Sequence, residues 1–270
     1  MNKITAIIPT LNEEIHIADA IKSVSFADEV IVIDSFSSDK TIEIVKQSKA
    51  ILLQRKFDDF SKQKNLKNNL IHKTIINDVQ QLFSAAQKDG LEFTIVSSYR
   101  TFEQQLTIWN EKWLGHRPVY SLHGRPLNIT KMSDMEKYKA ISLWSALPGL
   151  SRHHWGSDLD IFLTKAIQQG HKVELSPQEF SDTGVCYQLN CWMDKNLKKF
   201  GFFKPYREYR QGVSAEPWHI SHRLVSDQII ADFPYIQCLE YIRNRDIKAK
   251  DFICDIFEHY REQYFLNVCD

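Results

Sequence analysis

The sequence predicts an α+β protein in which a short α/β segment precedes a larger domain of mixed helices and strands. Over about the first 60 residues, predicted strands and helices alternate regularly, which indicates a parallel sheet. Beyond residue 65 the order of predicted elements is no longer a strict alternation. The stretch 61–75 is polar and basic and marks the change. We therefore predict two domains, residues 1–65 and residues 66–270.

The composition shows no charge bias. Lys plus Arg and Asp plus Glu number 34 each, so we expect neither a nucleic acid nor an anionic membrane as a partner. No segment is long and apolar enough to span a bilayer, and the first apolar run is too short for a signal peptide, so we expect a cytoplasmic protein. The five cysteines include no CxxC pair, which argues against a disulfide framework or a zinc ribbon. Nothing in the sequence predicts an oligomeric state.

The first segment contains three predicted strands separated by two predicted helices. Strands are expected at residues 3–9, 29–35 and 50–55, with helices at 13–24 and 38–48. Ser38 or Asp39 could cap the second helix. Residues 9–14 (PTLNEE) and 34–39 (DSFSSD) follow the first two strands. Ligands of parallel sheets bind at such carboxyl ends of strands.

These two stretches resemble the start of the family-2 glycosyltransferases, which carry PTxNEE and VIDSxSxDxT motifs. The resemblance covers residues 3–65 and implies that Asp34 and Asp39 lie near the base and ribose of a nucleotide sugar. The alternative is a turn aspartate and a helix cap. Such a transferase should continue with an apolar strand that leads into a DxD motif, and none follows here. We therefore interpret the segment as a truncated half-domain without transferase activity.

The second segment combines helices, strands and a long loop. Helices are predicted within residues 66–90, 101–113 and 186–202, strands within 91–100 and 159–163, and a loop at 115–137. The helix at 101–113 has an apolar face, and the helix at 186–202 ends at Gly201. The segment contains no internal repeat.

Three motifs of this segment carry residues that suit metal chemistry. His153 and Asp160 flank a glycine, residues 216–219 read Glu-Pro-Trp-His, and residues 98–100 read Ser-Tyr-Arg. A catalytic zinc ion commonly takes three His or carboxylate ligands and leaves its fourth position to water. His153, Asp160 and His219 supply such a set.

Glu216 and Arg100 would complete a hydrolytic site. A carboxylate beside the open position can accept a proton from water, and a turn at Pro217 would bring Glu216 to the same metal as His219. Arg100 offers a rigid fork of donors to a substrate carboxylate or to the oxyanion. Singly, each motif has an ordinary structural explanation, such as a buried histidine, a surface arginine or a turn. Their conjunction favours the site.

The chain carries three motifs in this order: SxYR, SxHxxGxxxD and ExWH. With them it resembles the zinc D-Ala-D-Ala carboxypeptidases of the VanY and LAS type, which share a fold with the hedgehog signalling domain. The resemblance covers residues 70–225. It implies a central, mostly antiparallel sheet with flanking helices and one catalytic zinc ion. It implies roles for nine residues. His153, Asp160 and His219 are the zinc ligands, Glu216 is the general base and Arg100 lies at the substrate carbonyl. The residues at the substrate are Ser151, Tyr99, Trp218 and Gln104 (or Gln105 instead).

Asp158 departs from the pattern of this family, which commonly has a small residue two positions before the aspartate ligand. On an extended chain Asp158 and Asp160 share a face, so Asp158 could approach the metal or hold His219 from behind. The alternative is a solvated aspartate at the start of a strand. His154, next to a predicted ligand, is expected to point away from the metal.

The resemblance implies zinc-dependent hydrolysis of a peptide bond near the C-terminus of D-Ala-containing cell-wall peptides, so a peptidoglycan-derived peptide is the expected partner. One alternative is a glycosyltransferase of polysaccharide biosynthesis that uses the N-terminal segment and reads residues 158–160 as its DxD motif. Another is a non-catalytic binding module on the same fold. The sequence leaves open DD- or LD-specificity, and carboxypeptidase, endopeptidase or dipeptidase action.

Overall fold

The computed structural model describes residues 4–34, 36–54 and 69–270. The chain divides into two compact units, Met1–Asp59 and Phe60–Asp270. The predicted boundary between residues 65 and 66 lies outside the described residues and stays a prediction. Each unit has its own sheet and its own hydrophobic core.

The first unit is a small α/β fold, which confirms the prediction for this segment. Its elements are β1 (Thr5–Thr10), α1 (Ile17–Ser23), β2 (Glu29–Asp34), α2 (Thr41–Lys46) and β3 (Ile51–Gln54). The strands lie in the order β1-β2-β3 and are all parallel. Among the residues of this unit that the structure describes, Ile17, Val32 and Val45 form the buried centre of the apolar cluster.

Both aspartates at the strand ends of this unit are engaged locally. Asp34 is fully buried and accepts hydrogen bonds from the hydroxyl and the N–H of Ser37. Asp39 accepts from the N–H of Thr41, the first residue of α2, at 3.0 Å, and from the N–H of Glu14 at 3.1 Å. Asp39 therefore satisfies a free donor at the start of α2, as one of the two predicted caps would.

The sheet of the second unit is antiparallel, as predicted. Its strands are β4 (Phe93–Ser97), β5 (Asp158–Leu163), β6 (Phe202–Phe203) and β7 (His219–His222). They lie in the order β4-β5-β7-β6, and every neighbouring pair is antiparallel. The register pairs Asp160 of β5 with His219 of β7 and with Ser97 of β4. Two of the predicted metal ligands are thus direct cross-strand neighbours.

Helices flank this sheet. They are α3 (Ile76–Lys88), α4 (Phe102–Leu114), α5 (Asp134–Ser142), α6 (Thr164–Gln168), α7 (Tyr187–Asn196), α8 (Arg223–Ala231), α9 (Tyr235–Arg243), α10 (Lys250–Asp255) and α11 (Phe257–Tyr260). Among the described residues, none of the helices is both long and apolar enough to cross a bilayer. All five cysteines are free thiols.

Alternation along β5 and β7 separates an apolar face from a polar one. Leu159 and Ile161 of β5 and Ile220 of β7 belong to the core that α3 and α7 share with the sheet. The intervening residues, Asp160 and His219 among them, point to the opposite face, because successive side chains of a strand alternate. The polar face is nonetheless buried, with 5 % exposure for Asp160 and 3 % for His219. Buried polar groups of this kind need partners.

Helix α5 begins inside the stretch predicted as a loop. Ser133 and Glu136 form a capping box, in which the Ser133 hydroxyl accepts from the N–H of Glu136 and the Glu136 carboxylate accepts from the N–H of Ser133. This S-x-x-E pattern is visible in the sequence and signals a helix start. The prediction of a loop up to residue 137 is therefore wrong at its C-terminal end.

Candidate metal centre and active site

A short 3-10 helix, Arg152–Trp155, carries His153 to the sheet. The helix ends at Gly156, whose φ of +67° is left-handed, so the chain turns sharply there into β5. The carbonyl of His153 accepts a hydrogen bond from the N–H of Arg100 at 3.0 Å. This bond ties the helix to the end of β4, which explains why the distant motifs at residues 98–100 and 151–160 meet.

His153, Asp160 and His219 converge with the spacing that one metal ion requires. Nε2 of His153 lies 3.2 Å from Oδ2 of Asp160, and Nδ1 of His219 lies 3.1 Å from Oδ1 of Asp160. One ligand atom from each residue lies within 4.8 Å of the others. Ligand atoms bound at about 2 Å in tetrahedral geometry lie roughly 3.3 Å apart. The three side chains therefore match a zinc site in both identity and spacing.

Hydrogen bonds from behind fix which nitrogen of each imidazole faces the site. Nδ1 of His153 lies 2.9 Å from the carbonyl oxygen of Ser98, to which it donates as an N–H. Nε2 of His219 lies 2.9 Å from Oδ1 of Asp158. The remaining nitrogens, Nε2 of His153 and Nδ1 of His219, face Asp160 and would offer lone pairs to a metal ion once they are deprotonated. Metal-binding histidines are commonly oriented in this way.

Asp158 is fully buried, so the alternative of a solvated strand-start aspartate is wrong. Its Oδ1 accepts from Nε of Arg152 at 2.7 Å as well as from His219. Its Oδ2 accepts from the hydroxyls of Ser157 at 3.0 Å and Ser221 at 2.9 Å. The guanidinium also donates to the hydroxyl of Ser221 at 2.6 Å and lies 4.5 Å from the ring centre of Trp155. Asp158 thus accepts a hydrogen bond from the side of His219 that faces away from the other ligands, at the centre of a buried polar network.

One polar atom of the centre is left without a partner. Oδ1 of Asp160 is buried and accepts no hydrogen bond from the described residues, although Nδ1 of His219 lies near it. Burial alone would raise the pKa of Asp160, but the charges of the neighbouring His153 and His219 rings hold it well below its usual range. An ionised carboxylate oxygen without a donor is an incomplete arrangement in a buried site. A cation among the three ligands would complete it, so these residues fit a metal ion.

Glu216 lies beside the three ligands. Its carbonyl accepts from the N–H of His219 at 3.0 Å, which closes the predicted turn around Pro217. Its Oε2 lies 3.6 Å from Nδ1 of His219. Burial raises the pKa of Glu216 to about 8, and the charge of Asp160 adds to this effect. Both the position of Glu216 beside the ligands and its raised pKa would therefore allow it to exchange a proton near neutral pH.

Arg100 is held in place from two sides. One guanidinium nitrogen donates to Oε1 of Gln105 at 2.7 Å and another to the hydroxyl of Ser97 at 3.3 Å. Gln105 is itself fixed, because its amide donates to the carbonyl of Ala146 at 2.6 Å. Burial lowers the pKa of Arg100, and the charges of Asp160 and Glu216 oppose this shift. An arginine remains cationic at such a site.

The three predicted ligands, Glu216 and Arg100 line one cavity of about 420 Å³, which we call the triad cavity. Two family models match the chain. The model of VanY, D-alanyl-D-alanine carboxypeptidase, matches residues 68–224, and the model of glycosyl transferase family 2 matches residues 5–70. The first match spans more than half of the chain and contains the whole metal centre.

This chain belongs to the VanY family of D-alanyl-D-alanine carboxypeptidases.

The chain is also similar to individual proteins and solved structures. A D-alanyl-D-alanine carboxypeptidase of Enterococcus faecalis is 33% identical over 144 residues, which cover 52% of this chain and 44% of the relative. An uncharacterized protein of Haemophilus influenzae is 36% identical over 74 residues, 27% of this chain and 56% of that protein. A solved structure of VanYB in complex with D-alanine-D-alanine is 25% identical, with a TM-score of 0.45 over 69% of this chain and 89% of that one. The chain spans about half the length of the curated relatives it matches.

The VanY-type cavity contains some of the predicted substrate residues but not others. Ser151 and Trp218 line the triad cavity, where the Trp218 ring stacks on Trp144 at 6.4 Å. Tyr99 and Gln104 instead line an adjoining cavity, which shares Arg100 with the first. The side chain of Gln104 accepts from the N–H of Thr101 in the capping box of α4. The alternative named from the sequence, Gln105, is the residue that contacts Arg100.

Sequence reasoning missed two further residues of the triad cavity. Tyr206 is buried, its ring lies 5.1 Å from that of His219, and its carbonyl accepts from the N–H of Glu216 at 2.8 Å. Lys112 reaches the cavity from α4 and donates to the hydroxyl of Ser145 at 2.6 Å. Neither lies in one of the three motifs. The i, i+4 spacing of Lys112 and Ile108 on α4 is the one signal that could have placed Lys112 on the cavity side.

His154 points away from the metal centre, as expected. Its Nδ1 lies 2.6 Å from the carbonyl oxygen of Arg100, and its Nε2 accepts from the N–H of Gly149. Burial lowers the pKa of His154 to about 4, so the ring is neutral at physiological pH. It is a buried structural histidine that helps to hold the end of β4.

Proposed function

We propose that this chain is a zinc-dependent peptidase that removes a C-terminal D-alanine from cell-wall peptides. The proposal rests on one observation. His153 and His219 lie around the carboxylate of Asp160, one oxygen of which is buried without a hydrogen-bond partner, and Glu216 and Arg100 line the same cavity. Family membership supports the peptidase class. The choice of zinc follows from the ligand set, because two imidazoles and one carboxylate with an open position are typical of catalytic zinc sites.

A zinc ion held by these three residues would supply a water molecule of lowered pKa and polarise the scissile carbonyl. Glu216 accepts the proton of the attacking water, since its carboxylate lies at the open side of the ligand set. It then returns this proton to the amine of the departing residue. Arg100 donates to the carbonyl oxygen as negative charge develops on it, and Gln105 and Ser97 hold the guanidinium ready.

The raised pKa of Glu216 suits both of these steps. A base with a pKa near the working pH can take a proton in one step and give it up in the next. Burial is the main cause of the shift, and a neighbouring cation would bring the pKa down from about 8. Glu216 is therefore expected to be ionised in the metal-bound enzyme at neutral pH.

D-alanine-terminated peptides are the proposed substrates because the matching family and the relative from Enterococcus faecalis are described as D-alanyl-D-alanine carboxypeptidases. The cavity of about 420 Å³ is of the size that holds a short peptide end. The interpretation of residues 158–160 as a DxD motif is set aside. Asp158 forms a hydrogen bond with His219, and Asp160 is one of the three proposed metal ligands.

The proposal is tested by release of D-alanine from a synthetic pentapeptide ending in D-Ala-D-Ala, using the full chain with and without a chelator. We expect release that stops on chelation and returns when zinc is restored. Release that continues unchanged after the metal has been removed would refute the metal mechanism. A purified protein that binds zinc but releases no D-alanine would instead support the non-catalytic alternative.

A further inference from the structure

The triad cavity contains a partly buried ammonium group that the proposed mechanism does not use. Lys112 lies near the C-terminal end of α4, one turn after Ile108, and both side chains line the cavity. Its Nζ donates to the hydroxyl of Ser145 at 2.6 Å. This neutral hydroxyl satisfies one of the three donors of an ammonium group.

Lys112 lacks an acidic partner among the described residues. The other cations of the cavity wall are already accommodated: Arg152 pairs with Asp158 at 2.7 Å and Arg117 with Glu111 at 3.0 Å. No carboxylate of residues 4–34, 36–54 or 69–270 forms an ion pair with Lys112. A buried charge without a partner is costly, and active sites retain such groups when a ligand supplies the opposite charge.

The surroundings of Lys112 disfavour its positive charge, so an anionic ligand would stabilise it. Burial lowers the pKa of Lys112 to about 8; Arg117 and Arg100 add to this shift, and Glu216 opposes it. The ammonium is still mostly protonated at neutral pH. The cavity wall also includes the apolar side chains of Ile108, Trp144 and Val213. A charge that is partly removed from water attracts an anion more strongly than one in bulk water.

Arg100 and Lys112 occupy the same cavity in different ways. The guanidinium is fixed by Gln105 and Ser97 and lies within electrostatic range of Asp160 and Glu216. Lys112 is bound only by a serine hydroxyl and retains donors for a ligand. A peptide that is cleaved at its last bond presents two oxygen groups here, the scissile carbonyl and the free terminal carboxylate. Two separate cationic groups match this pair.

We propose that Lys112 binds the free α-carboxylate of the C-terminal residue and thereby restricts the enzyme to the last peptide bond of its substrate. This inference rests on the proposed function and adds to it the choice of carboxypeptidase over endopeptidase. Lys112 is a specificity residue, since it contacts the leaving part of the substrate and takes no part in proton transfer.

The test measures binding in a protein that cannot turn over the ligand. The zinc-loaded full chain with Glu216→Gln is titrated calorimetrically with N-acetyl-D-Ala-D-Ala and with the C-terminal amide of the same dipeptide. We expect the free acid to bind about 10- to 100-fold more tightly than the amide, as a charge-assisted hydrogen bond would provide. Adding Lys112→Met should remove most of this preference and leave amide binding within about 2-fold.

Two further variants separate a local effect from a general one. Lys112→Arg keeps the charge and should retain part of the preference for the free acid. Lys88→Met, which removes an exposed lysine of α3, should change neither affinity. Equal binding of acid and amide by the Glu216→Gln protein would overturn the inference, as would no measurable binding of the acid. So would a Lys112→Met variant that weakens both ligands alike, because Lys112 would then act on the site as a whole.

Failure of this inference can be told apart from failure of the proposed function. Hydrolysis is measured with the unaltered chain, whereas the preference for a carboxylate is measured without turnover. If the unaltered chain releases no D-alanine while the binding preference depends on Lys112, the hydrolytic function fails and the carboxylate subsite stands. If release occurs and acid and amide bind equally, the hydrolytic function stands and the subsite fails.

Discussion

At the scale of single residues, Asp158 gives this metal centre its particular character. It accepts hydrogen bonds from His219, Arg152 and two serine hydroxyls within a fully buried pocket. A carboxylate behind a metal-binding imidazole fixes the ring and makes it a stronger ligand. The side chain of Arg152, 1 % exposed, balances the charge of Asp158. The site therefore has an ionic second layer at a position where its family commonly has a small residue.

Replacing Asp158 with asparagine should weaken zinc binding. The amide keeps the shape of the side chain but loses the charge that orients His219, and such changes typically cost about 10- to 100-fold in metal affinity. Competition with a chromophoric chelator measures the affinity directly. Asp246→Asn, which changes a fully exposed aspartate, serves as the control. An Asp158→Asn protein with unchanged zinc affinity would contradict the assigned role.

The protonation of the centre predicts how the stability of the metal-free protein depends on pH. Burial opposes the charge of His219, but its hydrogen bond to Asp158 and the charges of Asp158 and Asp160 outweigh this and raise its pKa to about 10. Burial raises the pKa of Glu216 to about 8. Between about pH 6.5 and 8 the folded state therefore binds more protons than the unfolded state, so the free energy of unfolding falls as the pH rises.

Thermal unfolding of the chelated protein at pH 6.5, 7.2 and 8.0 tests this sign. Two groups oppose this trend at the edges of the window but do not reverse it: His154, whose folded-state pKa is lowered to about 4, still binds protons in the unfolded state near pH 6.5, and Lys112, whose pKa is lowered to about 8, begins to lose its proton in the folded state near pH 8. We expect the Tm to fall across the window without metal and to change less once zinc is restored. A Tm that rises over this range in the metal-free protein would contradict the assigned protonation.

At the scale of elements, β5, β7 and the 3-10 helix before β5 build the centre. Gly156 lets the chain pass from this helix into β5 in a left-handed conformation, and this turn sets where His153 stands. Much of this arrangement could be predicted, because alternation on β5 places Asp158 and Asp160 on one face and the motif spacing names the ligands. The pairing of Asp160 with His219 could not, since strand register depends on contacts between distant parts of the chain.

Other features of the site also depend on tertiary structure. Gln104 and Gln105 are adjacent and chemically identical, so the sequence alone does not decide which one reaches Arg100. The capping box of α4 engages the side chain of Gln104, and the buried Gln105 contacts Arg100 instead. Lys112 and Tyr206 enter the site from elements outside the motifs, and only their packing shows this.

Gly156→Ala should reduce both stability and zinc affinity. A left-handed conformation costs a residue with a Cβ about 1–2 kcal/mol, and relief of the strain would move His153. Gly90→Ala is a matched control, because Gly90 also has a left-handed φ of +76° and open space around an added Cβ. Both variants should lower the free energy of unfolding in urea, and only Gly156→Ala should lower zinc affinity. Equal zinc affinities in the two variants would show that the turn does not position His153.

At the scale of the whole molecule, the chain combines a VanY-type unit with the first part of a glycosyl transferase family 2 fold. The sequence predicted both fold classes, because each unit carries local motifs in the order of its family. The small core among the described residues of the first unit agrees with a truncated half-domain. Its strand-end aspartates, Asp34 and Asp39, are engaged by Ser37, Thr41 and Glu14.

The first unit is therefore expected not to bind nucleotide sugars. Hydrogen bonds within the unit already occupy the carboxylates that would face a nucleotide, and the chain shows no transferase-like continuation. Thermal shift of the full chain with UDP-glucose and UDP-N-acetylglucosamine at millimolar concentration provides the measurement. We expect no change in Tm. A saturable rise in Tm that disappears in Asp34→Asn would contradict the interpretation as a truncated half-domain.

The central claim is that Glu216 acts as a proton acceptor beside a zinc ion held by His153, Asp160 and His219. The most direct measurement compares D-alanine release by the zinc-loaded chain with that of Glu216→Ala at equal zinc content. We predict one zinc ion per chain in both proteins and a rate about 100- to 10,000-fold lower in the variant, the usual contribution of a general base. Comparable rates in the two zinc-loaded proteins would contradict the claim.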